Sequence, residues 1–185
     1  MIRTYFDVND VLLDEQPVPV VFATPCFSIA KDIVTRTAEG ERIQEIDRGA
    51  RATMPMWAVA PLRKSGYVQV NTVPQEFQNV TFREFKMDPL APNLRAKSPF
   101  FYDHGVTIAA LLSGQHERVR LRNQLTRLFQ VRFYPILNAT AKKGHDFQDL
   151  RDSLTDSEQR LLKAVWESEV TERQWARSAQ LAKHR

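Results

Sequence analysis

The character of the sequence changes at about residue 52, and this change limits the folds open to the chain more than any single motif does. Before it, short runs of β-forming residues alternate with prolines and glycines, most clearly at residues 18–24 (VPVVFAT). After it, apolar residues recur at the spacing of amphipathic helices. We predict a mainly α, α+β fold in which a small β-rich domain (residues 1–52) precedes a larger helical-bundle domain (residues 53–185).

The first domain is predicted to consist of short strands. Pro17 and Pro19 place the start of the 18–24 strand at a sheet edge, because proline has no N–H to give to a β-ladder. Further strands are predicted at residues 4–8, from Cys26 onward (CFSIA), and at residues 41–46 (ERIQEI).

The second domain is predicted to be helical throughout. Thr53 is expected to cap a helix that has Pro55 in its first turn and ends before Gly66. Thr72 is expected to cap the next helix, which ends before Asp88-Pro89 because a residue preceding proline resists the α region. Three longer helices are predicted at about residues 99–114, 117–141 and 153–183.

Acidic and amide side chains crowd residues 7–15, so a calcium loop and a capped turn are the two interpretations. An EF-hand loop needs a glycine at its sixth position and a glutamate at its twelfth. Counted from Asp7, those positions hold Leu12 and Val18, which excludes the EF-hand. Asp7 or Asn9 is predicted instead to cap a short helical turn, with Val11 and one of the leucines after it toward the core.

Motifs for catalysis and metal binding are missing from the sequence. No two of the four histidines are three to five residues apart and Cys26 is the single cysteine, so neither a zinc site nor an internal disulfide is predicted. The sequence has no G-x-S-x-G, no P-loop and no G-x-G-x-x-G. No apolar run approaches the roughly 18 residues of a membrane span. We predict a protein that is not an enzyme, uses no cofactor and has no membrane partner.

Residues 117–132 carry five arginines, and their places on a helix differ. On a helical wheel Arg120 and Arg127 lie opposite the apolar residues, whereas Arg122 and Arg132 lie among them. A charge among apolar residues must reach water along its own stem or find a carboxylate. An intrachain salt bridge and a contact with another subunit both meet this requirement, and DNA contact is the third alternative.

The last predicted helix carries an apolar stripe that includes Trp166 and runs toward Trp175, where the sequence becomes polar and basic. A tryptophan in that position either covers a neighbouring helix or a partner, or stacks on a nucleic acid base. The charge of the chain is also uneven, since residues 1–50 carry a net −4 and residues 51–185 a net +8. A basic unit of this kind faces an acidic partner or nucleic acid, or is an ordinary solvated surface.

Four stretches, in the same order, resemble the GINS family of replication proteins, and in particular its third partner-of-Sld-five subunits. The stretches are YFDVNDVLLDEQPVPVVF (residues 5–22), MPMWAVAPL (54–62), KMDPLAPNLRAKSPFFYDHG (86–105) and LTDSEQRLLKAVWESEVTERQW (154–175). The resemblance implies a β-rich domain before a helical domain and a non-catalytic role in a heterotetramer with three other GINS subunits.

The resemblance further implies a nuclear scaffold of the replicative helicase (the CMG complex), with the minichromosome-maintenance hexamer and its cell-division-cycle partner. DNA would be contacted at most indirectly. Because long amphipathic helices with surplus apolar surface bury it against partners, we predict an interface that uses Trp57, Phe100, Phe101, Arg122, Phe129, Arg132, Trp166 and Trp175. A stand-alone basic nucleic-acid-binding module is the alternative.

Overall fold

The computed structural model of the chain describes residues 7–26, 36–37, 46–87, 93–140 and 151–183. Helices dominate these ranges and a small antiparallel sheet lies in the first half, which confirms the predicted mainly α, α+β class. No helix within them combines the length and apolar character that crossing a membrane requires. In chain order the elements are α1 (Val8–Asp14), β1 (Pro17–Phe22), β2 (Arg36–Thr37), β3 (Arg51–Pro55), α2 (Met56–Lys64), β4 (Val68–Gln69), a 3-10 turn (Gln75–Phe77), α3 (Asn79–Met87), α4 (Leu94–Lys97), α5 (Phe101–Leu111), α6 (Gln115–Thr140) and α7 (Asp156–Lys183).

The sheet has the strand order β2-β3-β1-β4, and every neighbouring pair is antiparallel. Val18 of β1 lies opposite Met54 of β3, and alternate residues of both strands are buried. This alternation follows from the pleat, which points successive side chains to opposite faces. Helix α2 contacts β1, β3 and β4, so that its buried residues, Met56 and Val59 among them, complete the core on one side of the sheet.

Pro17 and Pro19 lie where the sheet tolerates a missing N–H. The N–H of Phe22 donates toward β3 and that of Ala23 donates toward β4. Successive N–H groups alternate between the two sides of a strand, so the two proline nitrogens belong to the β4 side. β4 pairs with only Val21 and Phe22 of β1. Among the described residues no strand pairs with β1 on that side at Pro17 and Pro19, as the prediction of an edge at the start of this strand requires.

The predicted helix cap at Thr53 is wrong, because Thr53 lies in strand β3 opposite Pro19. The helix begins three residues later at Met56, with Pro55 in extended geometry as its N-cap. Pairing with β1 decides the conformation of this segment against its helix-like signals. The predicted domain boundary between residues 52 and 53 falls inside β3, and the division into a β-rich and a helical domain stays a prediction. Helix α2 ends before Gly66 (φ 81°), as predicted.

The opening acids form a cap, as predicted. The Asp7 carboxylate accepts a hydrogen bond from the backbone N–H of Asn9 at 2.9 Å, and α1 follows. Leu13 is buried, but Val11 is exposed, so its predicted place in the core is wrong. Val8 begins this helix and is therefore not a strand residue. Residues 4–6 of the predicted first strand lie outside the described residues.

Two other predicted strands are described only at their ends. Cys26 and Ile46 form an isolated antiparallel bridge. The remainder of those strands, residues 27–30 and 41–45, lies outside the described residues.

The helical segments agree with the sequence best where they are long. Helices α5, α6 and α7 lie close to their predicted bounds. The helix predicted to start from Thr72 is instead a 3-10 turn followed by α3, since Gln78 is extended between them. Thr72 is therefore not its cap. Helix α3 ends at Met87, directly before Asp88-Pro89, as predicted.

The chain divides into two compact units, and α3, α5 and α6 contribute residues to both. The first comprises Met1–Arg83 and Asp103–Thr126, and the second Glu84–Tyr102 and Arg127–Arg185. The core of the first unit is built on the sheet, α2 and the part of α5 that belongs to this unit. In that part of α5, Gly105 allows the close approach of Phe77 and Leu125. In the second unit, Ile136, Leu154 and Leu162 form a buried cluster.

Candidate interaction site on the last helix

Helix α7 leaves most of its length uncovered by the second unit. Across residues 163–178 no side chain is buried. Trp166 is 64% exposed and Trp175 is 71% exposed. Helical geometry places Trp166 and Val170 on one face and Trp175 about half a turn away from them. Apolar side chains of this size favour burial by about 1.5–3 kcal/mol each, so this surface is suited to contact a partner.

The first two turns of α7 are anchored to the second unit. Leu154 and Leu162 pack with Ile136 of α6. The backbone N–H of Asp156 donates to the Pro99 carbonyl at 2.9 Å, and the Arg95 guanidinium donates to the Leu154 carbonyl at 3.5 Å. The helix therefore starts at a fixed place and then extends away from its cover.

The helix start is a capping box. The N–H of Glu158 donates to the Thr155 hydroxyl oxygen at 3.4 Å, and the N–H of Thr155 donates to Glu158 Oε2 at 3.0 Å. Each side chain thus satisfies a backbone N–H that has no partner within the helix. Both residues are fully buried, so this reciprocal pair fixes the first turn in the interior of the unit.

Glu158 also accepts hydrogen bonds from two other elements. Arg132 of α6 donates from Nε to Oε1 at 2.6 Å and from Nη2 to Oε2 at 3.2 Å. The Tyr102 hydroxyl donates to Oε1 at 2.9 Å. Burial and the nearby Glu158 charge raise the pKa of Tyr102 well above its usual range, so it remains a donor. We call Tyr102, Arg132, Thr155 and Glu158 the Glu158 network.

The structure shows how the charges of Arg122 and Arg132, which lie among apolar residues on the helical wheel, are accommodated. Arg132 is fully buried and forms a salt bridge with Glu158, which is the intrachain alternative among the three that the sequence left open. Arg122 is exposed, so it needs no such partner. The long stem of Arg122 carries its charge from the apolar face of the helix to water.

The other polar groups of the described ranges lack the clustering that a metal site requires. No three His, Cys, Asp or Glu side chains within them are grouped so as to hold a metal ion. Cys26 is partly exposed, and its thiol donates to the Thr24 carbonyl at 3.6 Å. In the first unit His104 is fully buried, and burial lowers its pKa to about 4. At neutral pH it is therefore an uncharged core residue.

Comparison with known proteins shows two sequences to which most of the chain is similar. No family model matches it. It is 25% identical over 173 residues to the probable DNA replication complex GINS protein PSF3 of Dictyostelium discoideum, covering 93% of this chain and 61% of that relative. It is 24% identical over 183 residues to the DNA replication complex GINS protein PSF3 of Phaeosphaeria nodorum, covering 93% of this chain and 95% of the relative.

Over most of its length this chain is similar to GINS proteins named PSF3. The resemblance drawn from its sequence is thereby confirmed. The chain spans 61% of the length of the Dictyostelium PSF3 and nearly all of the Phaeosphaeria PSF3.

The eight predicted interface residues differ in their exposure to solvent. Phe100, Phe101 and Arg132 are buried, and Phe129 is half-buried. The exposed members are Trp57, Arg122, Trp166 and Trp175. A partner contact by the buried members would require them to leave their intrachain contacts. Their role in an interface stays a prediction, and the exposed members carry the proposal below.

Three of the predicted residues meet around Tyr102. The rings of Phe101 and Phe129 pack edge-on against the Tyr102 ring, with centroids 5.7 Å and 5.3 Å away. Arg132 shares the carboxylate of Glu158 with the Tyr102 hydroxyl. These side chains form a half-polar core in the second unit. Trp57 and Arg122 belong to the first unit.

Sequence reasoning missed Glu158 and Tyr102 as members of this core. The pattern Thr155-x-x-Glu158, directly before the apolar residues of α7, is the signature of a capping box and was the available signal for Glu158. Tyr102 directly follows Phe100 and Phe101 and has no comparable signal. The sequence shows that Arg132 needs a carboxylate but not which of many acids supplies it.

A groove of about 500 Å³ lies beside α7 at the point where the exposed stretch of the helix begins. Trp166 and Leu162 provide its apolar lining, and Arg151, Lys163 and Glu167 provide charges. A large aromatic side chain beside a groove with a charged rim is typical of a protein contact with an apolar centre and a polar border.

Proposed function

We propose that this chain acts in DNA replication as a subunit of a GINS complex. In this proposal it is a non-catalytic member of a heterotetramer with three other GINS subunits. The complex serves in the nucleus as a scaffold of the replicative helicase, with the minichromosome-maintenance hexamer and its cell-division-cycle partner. The proposal rests on the match of 93% of the chain to two proteins named as GINS PSF3.

The exposed part of α7 gives the proposal a physical basis. Residues 163–178 have no buried side chain, yet they include Trp166, Val170 and Trp175. Apolar groups on two faces of one helix are covered when neighbours pack on both faces. A hetero-oligomeric subunit meets this condition. We propose that Trp166 and Trp175 contact sibling subunits, and that Trp57 on α2 contributes a contact of the first unit.

Co-expression tests the proposal directly. The full chain is produced with candidate sibling subunits from one source, and the mass of the purified species is measured by native mass spectrometry. We expect a single complex that contains one copy of each subunit. Recovery of this chain as a separate species, with the siblings assembling without it, would refute the proposal.

Single substitutions then locate the contact. Trp166→Ala and Trp175→Ala should each weaken the complex by about tenfold or more, because aromatic anchors dominate interface energies. Tyr134→Ala is the matched control, since Tyr134 is 70% exposed but was not predicted at an interface. Equal effects of all three substitutions would show that these tryptophans are not the anchors.

The alternative function, a basic nucleic-acid-binding module, draws support from the net +8 of residues 51–185 and from the exposed Arg122 and Arg127. It requires that the chain alone bind a fluorescent oligonucleotide with an affinity that falls steeply with salt. The subunit proposal expects weak binding by the chain alone. Tight, salt-sensitive binding without partners, together with failed co-assembly, would favour the alternative.

A further inference from the structure

We propose that Glu158 is a positioning residue for assembly, because it fixes the direction of α7 beyond its first two turns and so places Trp166 and Trp175 for their partners. This inference rests on the proposed function. It concerns what holds the contact surface, whereas the proposed function concerns what the surface contacts.

The direction of α7 must be set at its start. After Leu162 the helix has no buried side chain through residue 178. Among the described residues, the buried side chains that hold the helix are therefore those of its first two turns, where Glu158 lies between Leu154 and Leu162. Glu158 is the charged residue of this stretch that is fully buried.

The two kinds of contact at the helix start differ in what they specify. The packing of Leu154 and Leu162 on Ile136 is non-directional, and apolar surfaces tolerate small rotations and shifts. The two-point contact of Arg132 with Glu158 is planar and directional. Any slip of α7 along α6 would leave a buried charge without its partner, which is strongly unfavourable. The Glu158 network therefore selects one orientation among those that the apolar packing permits.

The orientation of α7 matters at the contact surface because Trp175 lies several turns along the helix from Glu158. About 17 residues separate Glu158 from Trp175, which corresponds to roughly 26 Å of helix. A change of about 10° in the helix direction at Glu158 would move Trp175 by roughly 4 Å at this helix length. A shift of that size is large compared with the fit of an aromatic side chain in a partner pocket.

Distance measurement on the full chain tests positioning without any partner. Spin labels are attached to Asn138→Cys and Ser178→Cys in a Cys26→Ser background, since both labelled positions are exposed in the second unit. The triple variant Tyr102→Phe, Arg132→Met, Glu158→Leu replaces the network by apolar groups. We expect it to fold and to give a clearly broader or shifted label-to-label distance distribution. A distribution identical to that of the unsubstituted network would overturn the proposal.

Two further variants keep this test decisive. Ile136→Val removes apolar packing without touching the network, so it should lower the melting temperature and leave the distribution narrow. Equal broadening by Ile136→Val would overturn the proposal. If the triple variant does not fold, Arg132→Lys replaces it, because lysine keeps the charge but lacks the planar fork. An unchanged distribution in Arg132→Lys would then overturn the proposal.

The affinity of the chain for sibling subunits provides a second test of the proposal. The triple variant, or Arg132→Lys in its place, should associate with sibling subunits at least tenfold more weakly than the unsubstituted chain does. Unchanged affinity would overturn the inference and leave the proposed function standing. Failure of the unsubstituted chain to assemble would instead refute the proposed function. The distance measurement would then still decide whether Glu158 sets the direction of α7.

Discussion

At the scale of single residues, His104 is the side chain whose burial has the clearest chemical cost. Among the described residues, its two ring nitrogens are the buried side-chain atoms that lack a hydrogen-bond partner. The Phe77 ring packs edge-on against it, and Glu76 Oε1 lies 3.8 Å from its Nδ1. Burial favours the neutral imidazole and lowers the pKa from 6.5 to about 4.

This burial predicts a loss of stability in acid. Between pH 6.5 and about 4 the unfolded chain binds the His104 proton and the folded chain does not. The free energy of unfolding should therefore be highest above pH 6.5 and fall as the pH drops toward 4, by roughly 3 kcal/mol in total from this group. Urea unfolding at a series of pH values, followed by circular dichroism, measures the slope.

Substitution isolates the contribution of His104 from that of the carboxylates. His104→Leu should remove this part of the pH dependence, whereas His116→Leu should not, because the His116 side chain is 87% exposed. An unchanged slope in His104→Leu would contradict the assignment.

Gly105 is required by the closeness of its neighbours in the first unit. A Cβ at this position would lie 2.7 Å from Leu125 Cδ1 and 2.9 Å from Phe77 Cε1. We expect Gly105→Ala to lower the free energy of unfolding by about 1–2 kcal/mol, since overpacking outweighs the gain in helix propensity. In a Leu125→Ala background the same change should cost less. Equal costs in both backgrounds, measured by urea unfolding, would show that the clash is not the cause.

At the scale of elements, the start of α7 depends on its capping box. Thr155→Val keeps the shape of the side chain but removes the acceptor for the Glu158 N–H. We expect a loss of about 1 kcal/mol in the free energy of unfolding. Thr171→Val is the matched control, because Thr171 is exposed and bonds the Glu167 carbonyl within the same helix. A cost for Thr155→Val no larger than that of the control would exclude a role for the cap.

Elements whose pattern is visible in their own residues were predictable from the sequence. Elements whose conformation depends on pairing with a distant segment were not. Helices α6 and α7 span many turns, so their periodicity indicates them without further information. The residues of β3 read as the start of a helix, but they are extended because they pair with β1, more than thirty residues earlier. Pairing across that distance leaves no local mark, and tertiary contacts override weak propensities.

The candidate site divides in the same way. The apolar stripe of α7 and the need of Arg132 for a carboxylate are properties of single helices, and both were visible in the sequence. The exposure of Trp166 and the choice of Glu158 as partner depend on which elements pack together. Phe100 and Phe101 are an example, since they are predicted at an interface but are buried in the chain alone, and their part in an interface stays a prediction.

At the scale of the whole molecule, stability should be distributed unevenly along α7. Backbone amides open at low free energy where few buried contacts hold them. We expect the amides of residues 163–178 to exchange hydrogen much faster than those of residues 158–162 in the chain alone. In the assembled complex the exchange of residues 163–178 should slow by at least tenfold. Hydrogen-exchange mass spectrometry of the two states measures the difference.

Helix α5 serves as the internal reference for this measurement, since Ile108 and Ala109 are fully buried. Its amides should be protected in both states. Protection of residues 163–178 in the chain alone, equal to that of α5, would contradict the expected distribution.

The two prolines at the start of β1 also bear on how the chain avoids unwanted aggregation. Within the described residues, the stretch of β1 beyond the end of β4 has no partner strand, and other residues in place of the prolines would offer backbone N–H groups there to a strand of another molecule. Open strand edges of this kind template intermolecular sheets and, at worst, amyloid. Pro17 and Pro19 have no hydrogen to donate on that side, so a foreign strand would lose its bonds at both positions. The two prolines thereby disfavour strand addition on this side of β1.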